Sequence, residues 1–231
     1  MTEAETFFRA FHTARPAVTS RALARAGSYA RLAAHVPRTG RALDLACGDS
    51  HLASLIGAIG VDLAPTRLDE RVPLVVARAQ QLPFADHAFS AVTCHLAFML
   101  FDELDSVVAE LHRVLEPGAP FLALLGGGPT AEGNDAFHVF AEHVPRGRSY
   151  GDRRARSEDG WCELFGDGWR DITFERWELD LGGTFDEVWA FLGASYQLAD
   201  VEAARTALRE RFPGDHVPCK IATYCARVFR R

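Results

Sequence analysis

Cysteine is scarce in this sequence and shows no pairing pattern. The 231 residues include five cysteines, an odd number, and no two of them form a C-x-x-C pair. This pattern argues against a disulfide framework and against a zinc site, so we expect a reducing compartment and no metal. Because 48% of the residues are apolar, a chain of this length can bury one substantial core without such cross-links.

Long apolar runs and excess positive charge are missing as well. The longest apolar run, Ala91 to Phe101, contains His95 and is too short to cross a bilayer. The first residues are acidic and lack the basic stretch and the apolar stretch that are typical of a signal peptide. The formal net charge of −6 provides no electrostatic footprint for nucleic acid or an anionic membrane. We therefore expect a cytoplasmic protein with neither nucleic acid nor membrane as a partner.

Strand and helix patterns alternate along most of the chain. Residues 3–35 look helical, and Asp102 is expected to cap a helix with a 3.6-residue apolar period that ends before Pro117. Short apolar strands are predicted at residues 42–46, 58–63, 74–77, 91–95 and 121–125, with a short helix at 50–56. This alternation implies a parallel sheet that is covered by helices on both faces.

The second half of the chain begins with a stretch rich in glycine and arginine, residues 126–160, which we interpret as a functional loop or lid. Thr184-x-x-Glu187 is expected to form a capping box before an apolar helix. Further helices are predicted near residues 137–143, 158–165 and 200–212, and strands near 172–179 and 221–229. These two strands would complete a seven-stranded sheet.

The segment from Arg41 to Ser50 has the pattern of a strand that ends at a ligand-binding loop. In open α/β sheets ligands bind beyond the carboxyl ends of the strands, where the strand order reverses. A dinucleotide would require G-x-G-x-x-G, but the three positions hold Ala46, Gly48 and His51. Asp49 would repel a diphosphate. A nicotinamide-dependent oxidoreductase is therefore disfavoured, whereas a phosphate-free cationic cofactor such as S-adenosylmethionine meets no such objection.

Four segments follow one another in a characteristic order between residues 40 and 128. They are Asp44-Leu-Ala-Cys-Gly48, Gly60-Val-Asp62, Ala79-Gln-Gln-Leu-Pro-Phe84-Ala-Asp-His-Ala-Phe89 and Glu110-Leu-His-Arg-Val-Leu-Glu-Pro-Gly118. They resemble the glycine-rich, acidic strand-2, "LPF…D…F" and "RVLxPGG" motifs of class I S-adenosylmethionine-dependent methyltransferases of the small-molecule type.

This resemblance implies a fold and a division of the chain. The fold is α/β, with a doubly wound, mostly parallel seven-stranded Rossmann-like methyltransferase sheet, an antiparallel last strand and a helical N-terminal cap. We expect a single domain over residues 1–231, made of a cap at 1–36, a cofactor-binding core at 40–128, a lid or substrate region at 129–170 and C-terminal strands and helices at 171–231.

The resemblance also implies which residues bind the cofactor. Asp62 would accept hydrogen bonds from the ribose hydroxyls, and Leu63 would pack on the adenine. The full set of expected cofactor-binding residues is Asp44, Ala46, Cys47, Gly48, Asp62, Leu63, Ala79, Gln80 and His95. Candidate substrate residues are His12, Arg15, Tyr150 and Tyr196.

Three departures from the family pattern lead to further expectations. Ala46 and Ser50 replace glycines, which is tolerable if their φ angles stay negative. Arg78 stands where many relatives have an acid that meets the adenine amino group. The short distance from Asp44 to Asp62 requires a short first helix.

Several roles have two interpretations. His95 is either a general base or a polar wall residue. Trp189 lies on the apolar stripe of its helix and is interpreted as a core residue. The arginines at 146, 148, 153, 154 and 156 either form a solvated face or capture an anionic group of the substrate. The activity that the resemblance implies is methyl transfer to an O, N or C nucleophile of a small-molecule substrate, by a monomer or homodimer. The alternative is a non-catalytic S-adenosylmethionine-binding protein of the same fold.

Overall fold

The computed structural model describes residues 17–64, 70–130, 133–145, 151–195 and 198–231, together with Thr6 and Ala10. Within these residues, seven strands form a single sheet. The strands are β1 (Ala42–Leu45), β2 (Ile59–Asp62), β3 (Leu74–Val76), β4 (Ala91–His95), β5 (Pro120–Pro129), β6 (Trp169–Asp180) and β7 (Lys220–Arg230). Their order in the sheet is β3-β2-β1-β4-β5-β7-β6.

The sheet is mostly parallel. β1 pairs in parallel with β2 on one side and with β4 on the other, and β4 pairs in parallel with β5. β7 runs antiparallel to both of its neighbours, β5 and β6. The chain therefore leaves β1 toward one edge and returns at β4 on its other side, and this reversal opens a crevice at the carboxyl ends of β1 and β4. The predicted fold class is confirmed.

Helices cover both faces of the sheet, and each face has its own apolar core. They are α1 (Val18–Arg25), α2 (Ser28–Ala33), α3 (His51–Ile56), α4 (Leu104–Val114), α5 (Ala136–Ala141), α6 (Glu158–Phe165), α7 (Phe185–Ser195) and α8 (Val201–Arg211). Buried residues of α1, α2, α3, α5, α7 and α8 form one core, whereas those of α4 and α6 form the other. Among the described residues, no helix is long and apolar enough to span a membrane.

Side-chain alternation along β1 and β4 sets the contents of the crevice. Leu43 and Leu45 belong to the core with α4 and α6, so Asp44 points to the opposite face, which α1, α2 and α3 cover. The same alternation puts Thr93 and His95 of β4 on the face of Asp44. The polar side chains that end these two strands therefore meet under the N-terminal helices.

The predicted helix caps have different outcomes. The Thr184–Glu187 capping box is confirmed, because the Glu187 amide donates to Thr184 Oγ1 at 3.3 Å and the Thr184 amide donates to Glu187 Oε2 at 2.9 Å. The predicted cap at Asp102 is wrong. Helix α4 begins at Leu104 after Glu103, whose φ is 56°, and no side chain caps it. The Asp102 carbonyl instead accepts a 3.1 Å hydrogen bond from Gln80 Nε2.

The long helical segment expected near the N-terminus is interrupted. Helices α1 and α2 are separated by Gly27, whose φ of 74° lies in the left-handed region that glycine adopts readily. The two helices can therefore meet the crevice at different angles.

Candidate functional site

The loop after β1 turns sharply beneath the crevice. Its backbone has positive φ at Ala46 (55°), Gly48 (53°) and Ser50 (68°). The negative φ angles under which side chains at Ala46 and Ser50 would be tolerable are therefore not found, and each left-handed residue costs about 1–2 kcal/mol. The turn is closed by hydrogen bonds from the Cys47 amide to the Val61 carbonyl (3.0 Å) and from the Ser50 amide to the Cys47 carbonyl (2.8 Å).

Asp62 ends β2 beside this loop, and two backbone amides fix its carboxylate. The Gly48 amide donates to Asp62 Oδ2 at 2.9 Å, and the Ala64 amide donates to Oδ1 at 3.0 Å. A carboxylate oxygen can accept more than one hydrogen bond, so both oxygens keep capacity for a ligand. Leu63, half-buried, follows directly. The arrangement presents an oriented carboxylate that suits a pair of neighbouring hydroxyl groups.

Two further carboxyl groups make the crevice acidic. Asp44 is 1% exposed and accepts a 2.8 Å hydrogen bond from Thr93 Oγ1. Burial raises the pKa of Asp44 to about 7, and the nearby charges of Asp62 and Asp49 add to this rise. Asp49 accepts hydrogen bonds from the hydroxyl of Ser20 and from the His51 amide, the latter at 3.3 Å. A ligand with positive charge would relieve the repulsion among these groups.

His95 lies at the carboxyl end of β4 in a stack of rings. Its ring centroid lies 4.0 Å from that of Tyr29 with an angle of 24° between the planes, and the centroids of Tyr29 and His51 are 4.5 Å apart. His95 Nε2 is 3.0 Å from Ser28 Oγ. Burial, and then the charge of His51, lower the pKa of His95 to about 3. The imidazole is therefore neutral at physiological pH.

The crevice thus combines a tight turn without the G-x-G-x-x-G pattern, an oriented carboxylate and two further acidic side chains at the switch point of the sheet. The sequence comparison agrees with this geometry. Residues 43–123 match the family model of a methyltransferase domain. This segment includes nearly all of β1, the whole of β2 to β4 and the first part of β5, and therefore the crevice residues that follow these strands.

Curated relatives are similar to part of the chain. The demethylmenaquinone methyltransferase of Deinococcus radiodurans is 32% identical over 139 residues, which are 52% of this chain and 56% of that protein. The ubiquinone/menaquinone C-methyltransferase UbiE of Desulfotalea psychrophila is 34% identical over 103 residues, 38% of this chain and 42% of that protein. The chain spans about half the length of the curated relatives it matches.

Solved structures share the fold over most of the chain. The YcgJ protein of Bacillus subtilis has a TM-score of 0.58 at 20% identity, over 89% of this chain and 98% of that chain. The phosphoethanolamine N-methyltransferase 2 of Haemonchus contortus, solved with S-adenosyl-L-methionine, has a TM-score of 0.51 at 17% identity, over 90% of this chain and 52% of that chain. At these identities the similarity shows a shared fold and does not show a shared function.

Sequence reasoning missed three residues of the crevice. Ser20 lies in α1, and Ser28 and Tyr29 begin α2; these side chains contact Asp49, His95 and His51. Tyr29 is 8% exposed. One signal was present in the sequence, because Tyr29 is the only Phe, Trp or Tyr between residues 17 and 36.

The predicted adenine-side residues lie in a tight turn after β3. The Gln81 amide donates to the Arg78 carbonyl at 3.1 Å, which encloses Ala79 and Gln80. The Gln80 side-chain amide donates to the Asp102 carbonyl and so ties this turn to the segment before α4. The Ala77 amide donates to the Asp62 carbonyl at 3.3 Å, so the turn starts next to the end of β2.

The candidate substrate residues His12, Arg15, Tyr150 and Tyr196 lie outside the described residues, as do Arg146 and Arg148. Of the arginines that the structure does describe in this cluster, Arg154 pairs with Asp152 and Asp105, each at 2.7 Å. These carboxylates neutralise Arg154, which argues against the capture of an anionic substrate group by this residue. Trp189 is half-buried, with its ring 6.3 Å from that of Phe140, and packs against the core.

Proposed function

We propose that the protein transfers the methyl group of S-adenosylmethionine to a small-molecule acceptor. The observation that carries this proposal is the Asp62 carboxylate, which the Gly48 and Ala64 amides orient at the switch point of the sheet. A lone oriented carboxylate suits the vicinal hydroxyl groups of a ribose. The acidic neighbours Asp44 and Asp49 suit a cofactor that carries a sulfonium and an ammonium group and no phosphate.

Different residues of the crevice would bind different parts of the cofactor. Asp62 would bind the ribose, and Leu63 would pack on the adenine. The backbone of Ala46, Cys47 and Gly48 would run alongside the methionine part. The adenine edge would meet Ala79 and Gln80. S-adenosylmethionine supplies an activated methyl group on a sulfonium.

Alignment is the main catalytic contribution expected of this chain. Displacement at a methyl carbon needs the nucleophile held in line at about 3 Å, and a rigid crevice that excludes water provides this. His95 has too low a pKa to serve as a strong base at neutral pH. We therefore assign it to the wall of the crevice, where a neutral imidazole orients the acceptor. The nucleophile is an O, N or C atom that needs no strong base.

Cofactor binding tests the proposal directly. Calorimetry should detect binding of S-adenosylmethionine and S-adenosylhomocysteine to the wild-type protein. Asp62→Ala should weaken both by about 1.5–3 kcal/mol, because charge-assisted hydrogen bonds are lost. Asp186→Ala, which removes an exposed carboxylate from α7, is the matched control and should bind normally. Unchanged affinity in Asp62→Ala would sink the assignment.

Turnover distinguishes an enzyme from a binding protein. We would test a panel of acceptors that carry a hydroxyl group, an amine or a nucleophilic carbon atom. The panel includes quinols, because curated relatives are named demethylmenaquinone methyltransferases. At least one acceptor should yield S-adenosylhomocysteine. Tight cofactor binding without release of S-adenosylhomocysteine for any acceptor would favour a non-catalytic binding protein.

A further inference from the structure

The imidazole of His138, in the first turn of α5, lies between two hydrogen-bond acceptors. Its Nδ1 is 2.9 Å from Asp135 Oδ1, and its Nε2 is 2.8 Å from the carbonyl oxygen of Thr130, the residue that follows β5. Gly133 packs against the same ring, because a Cβ at this position would overlap with the imidazole. His138 therefore joins the end of β5 to the start of α5.

Both partners of the imidazole accept a hydrogen bond and have no proton to donate. A carbonyl oxygen only accepts. Asp135 Oδ1 also accepts from the amides of Phe137 (3.0 Å) and His138 (3.2 Å), and Oδ2 accepts from the Lys220 amide at 2.8 Å. A neutral imidazole has one N–H, whereas an imidazolium has two. Only the charged form of His138 can therefore make both contacts together.

The elements that pack against α5 bring further ionisable groups near this contact. They are Glu142 after α5, Arg211 at the end of α8, Asp180 at the end of β6, Cys219 just before β7 and Lys220 at its start. Burial, and then the charge of Asp135, raise the pKa of Cys219 to about 12, so this thiol stays neutral while the imidazole titrates. Helix α7 meets α5 through the apolar rings of Trp189 and Phe140.

The pKa of His138 is raised above its ordinary value of 6.5. The hydrogen bond with Asp135 is the largest cause, and the Thr130 carbonyl and the charge of Asp135 add to it, against an opposing effect of desolvation. A raised pKa means that the stability linked to this contact is fully present below about pH 6.5. It is lost as the pH rises through the pKa of the folded state.

We propose that Asp135, His138 and Thr130 form a pH-sensitive clasp, which ties Thr130 to α5 when His138 is an imidazolium and releases Thr130 when the imidazole is neutral. Loss of the proton leaves one N–H, and the charge-assisted hydrogen bond to Asp135 keeps this proton on Nδ1. The lone pair of Nε2 then faces the lone pairs of the Thr130 carbonyl, so this contact breaks. Asp135 continues to hold α5 to β7 through the Lys220 amide.

The clasp acts on the strand that lies next to β4 and the crevice. The Leu96 amide, which follows β4, donates to the Leu124 carbonyl of β5 at 2.8 Å, and Thr130 follows the far end of this strand. A rise in pH should therefore loosen the end of β5 beyond the crevice and leave its pairing with β4 in place.

Nitrogen NMR of the whole ¹⁵N-labelled protein tests the proton positions. His138→Gln assigns the His138 signals among those of the nine histidines. Both ring nitrogens of His138 should be protonated below its transition, and its pKa should exceed that of the histidines in the urea-unfolded protein. Above the transition the proton should remain on Nδ1, and Asp135→Asn should lower the pKa. A pKa at or below the unfolded value, or a neutral ring with its proton on Nε2, would overturn the clasp.

Hydrogen–deuterium exchange tests the release of Thr130. In the wild type, exchange in peptides that contain residues 126–130, corrected for its intrinsic pH dependence, should become about tenfold faster as the pH rises through the measured pKa, the equivalent of one hydrogen bond. His138→Ala should exchange fast at every pH. His143→Ala, which removes the histidine just after α5, is the matched control and should behave as the wild type.

The wild-type measurements decide the matter even if His138→Ala fails to fold. Corrected exchange that does not change across the His138 transition would show that the proton does not control Thr130. Neither experiment uses a cofactor or a methyl acceptor, so the outcome is independent of the proposed function.

Discussion

Asp44 and His95 have opposite pKa shifts with one cause. Burial disfavours the charged form of each, so the pKa of Asp44 rises to about 7 and that of His95 falls to about 3. Both side chains lie on the same face of neighbouring strands, β1 and β4. The crevice therefore favours a neutral acid and a neutral base next to each other.

The two shifts predict opposite pH dependences of the free energy of unfolding. The stability linked to Asp44, whose pKa is raised, is present below about pH 4 and is lost as the pH rises to about 7. The stability linked to His95, whose pKa is lowered, is present above about pH 6.5 and is lost as the pH falls toward 3. Between these limits the two slopes oppose each other in the wild type.

Single variants should separate the slopes. Between about pH 4.5 and pH 6.5, Asp44→Asn should gain stability with rising pH and His95→Gln should lose it, each by up to about 1.4 kcal/mol per pH unit. Urea denaturation at several pH values measures both. Identical slopes in the two variants would contradict the shifts.

Gly60 shows how closely β2 approaches the turn after β1. A Cβ at this position would lie 2.6 Å from Leu74 Cδ2 and 2.8 Å from Cys47 Sγ. We expect Gly60→Ala to displace the turn, lower stability by about 1–3 kcal/mol and weaken cofactor binding. Gly193→Ala in α7, where the nearest atom is 3.7 Å from the new Cβ, is the control. Chemical denaturation and calorimetry on both variants provide the comparison, and equal behaviour would contradict the close approach.

At the scale of elements, the side chains of Arg113 and Glu110 join α4 to the segment before β4. Arg113 donates to the carbonyls of Phe84 (2.7 Å) and Leu82 (3.0 Å), and its ion pair with Glu110 is 2.8 Å long. Glu110 in turn accepts from the Leu82 amide at 2.7 Å. The two motifs that resemble "LPF…D…F" and "RVLxPGG" are therefore halves of one hydrogen-bonded unit.

Replacement of Arg113 should lower the stability of this hydrogen-bonded unit. Arg113→Met keeps the apolar stem but removes the side-chain donor of two carbonyls and the ion-pair partner of Glu110, so we expect a loss of about 2 kcal/mol in unfolding free energy. Arg176→Met breaks an exposed pair with Glu178 and should cost well under about 1 kcal/mol. Denaturant titrations of the two variants should differ by this margin, and similar losses would show that the network is dispensable.

The sequence predicted those elements whose apolar pattern is complete and missed the parts set by distant partners. β4 and α6 have their predicted bounds, because their buried residues are continuous or periodic. β5 extends to Pro129 and β6 to Asp180, beyond the apolar runs, because antiparallel pairing with β7 continues the ladder through glycine and exposed polar residues. The acids at the ends of β1 and β2 were recognised from the motifs, whereas Ser28 contacts a residue 67 positions away and has no local signal.

At the scale of the whole molecule, the N-terminal cap is fastened to two regions. Ser20 and Ser28 bind the crevice residues Asp49 and His95. Arg31 pairs with Glu175 of β6 at 2.8 Å, and its guanidinium lies 4.0 Å above the ring of Trp177. The cap therefore links the cofactor side of the sheet to its far edge.

The ring of Tyr29 is buried against His51 and His95, so under the proposed function we expect that the demethylated cofactor can leave past this point only when α2 moves. Departure of the product should then set the pace of the cycle, as lid movements do in many enzymes. Rapid mixing should reveal a fast first turnover followed by a slower steady rate. Tyr29→Ala should raise the steady rate toward that of the first turnover, and a wild type without this early burst would show that chemistry is the slow step. Movement of the helices that cover the crevice would then limit the turnover rate.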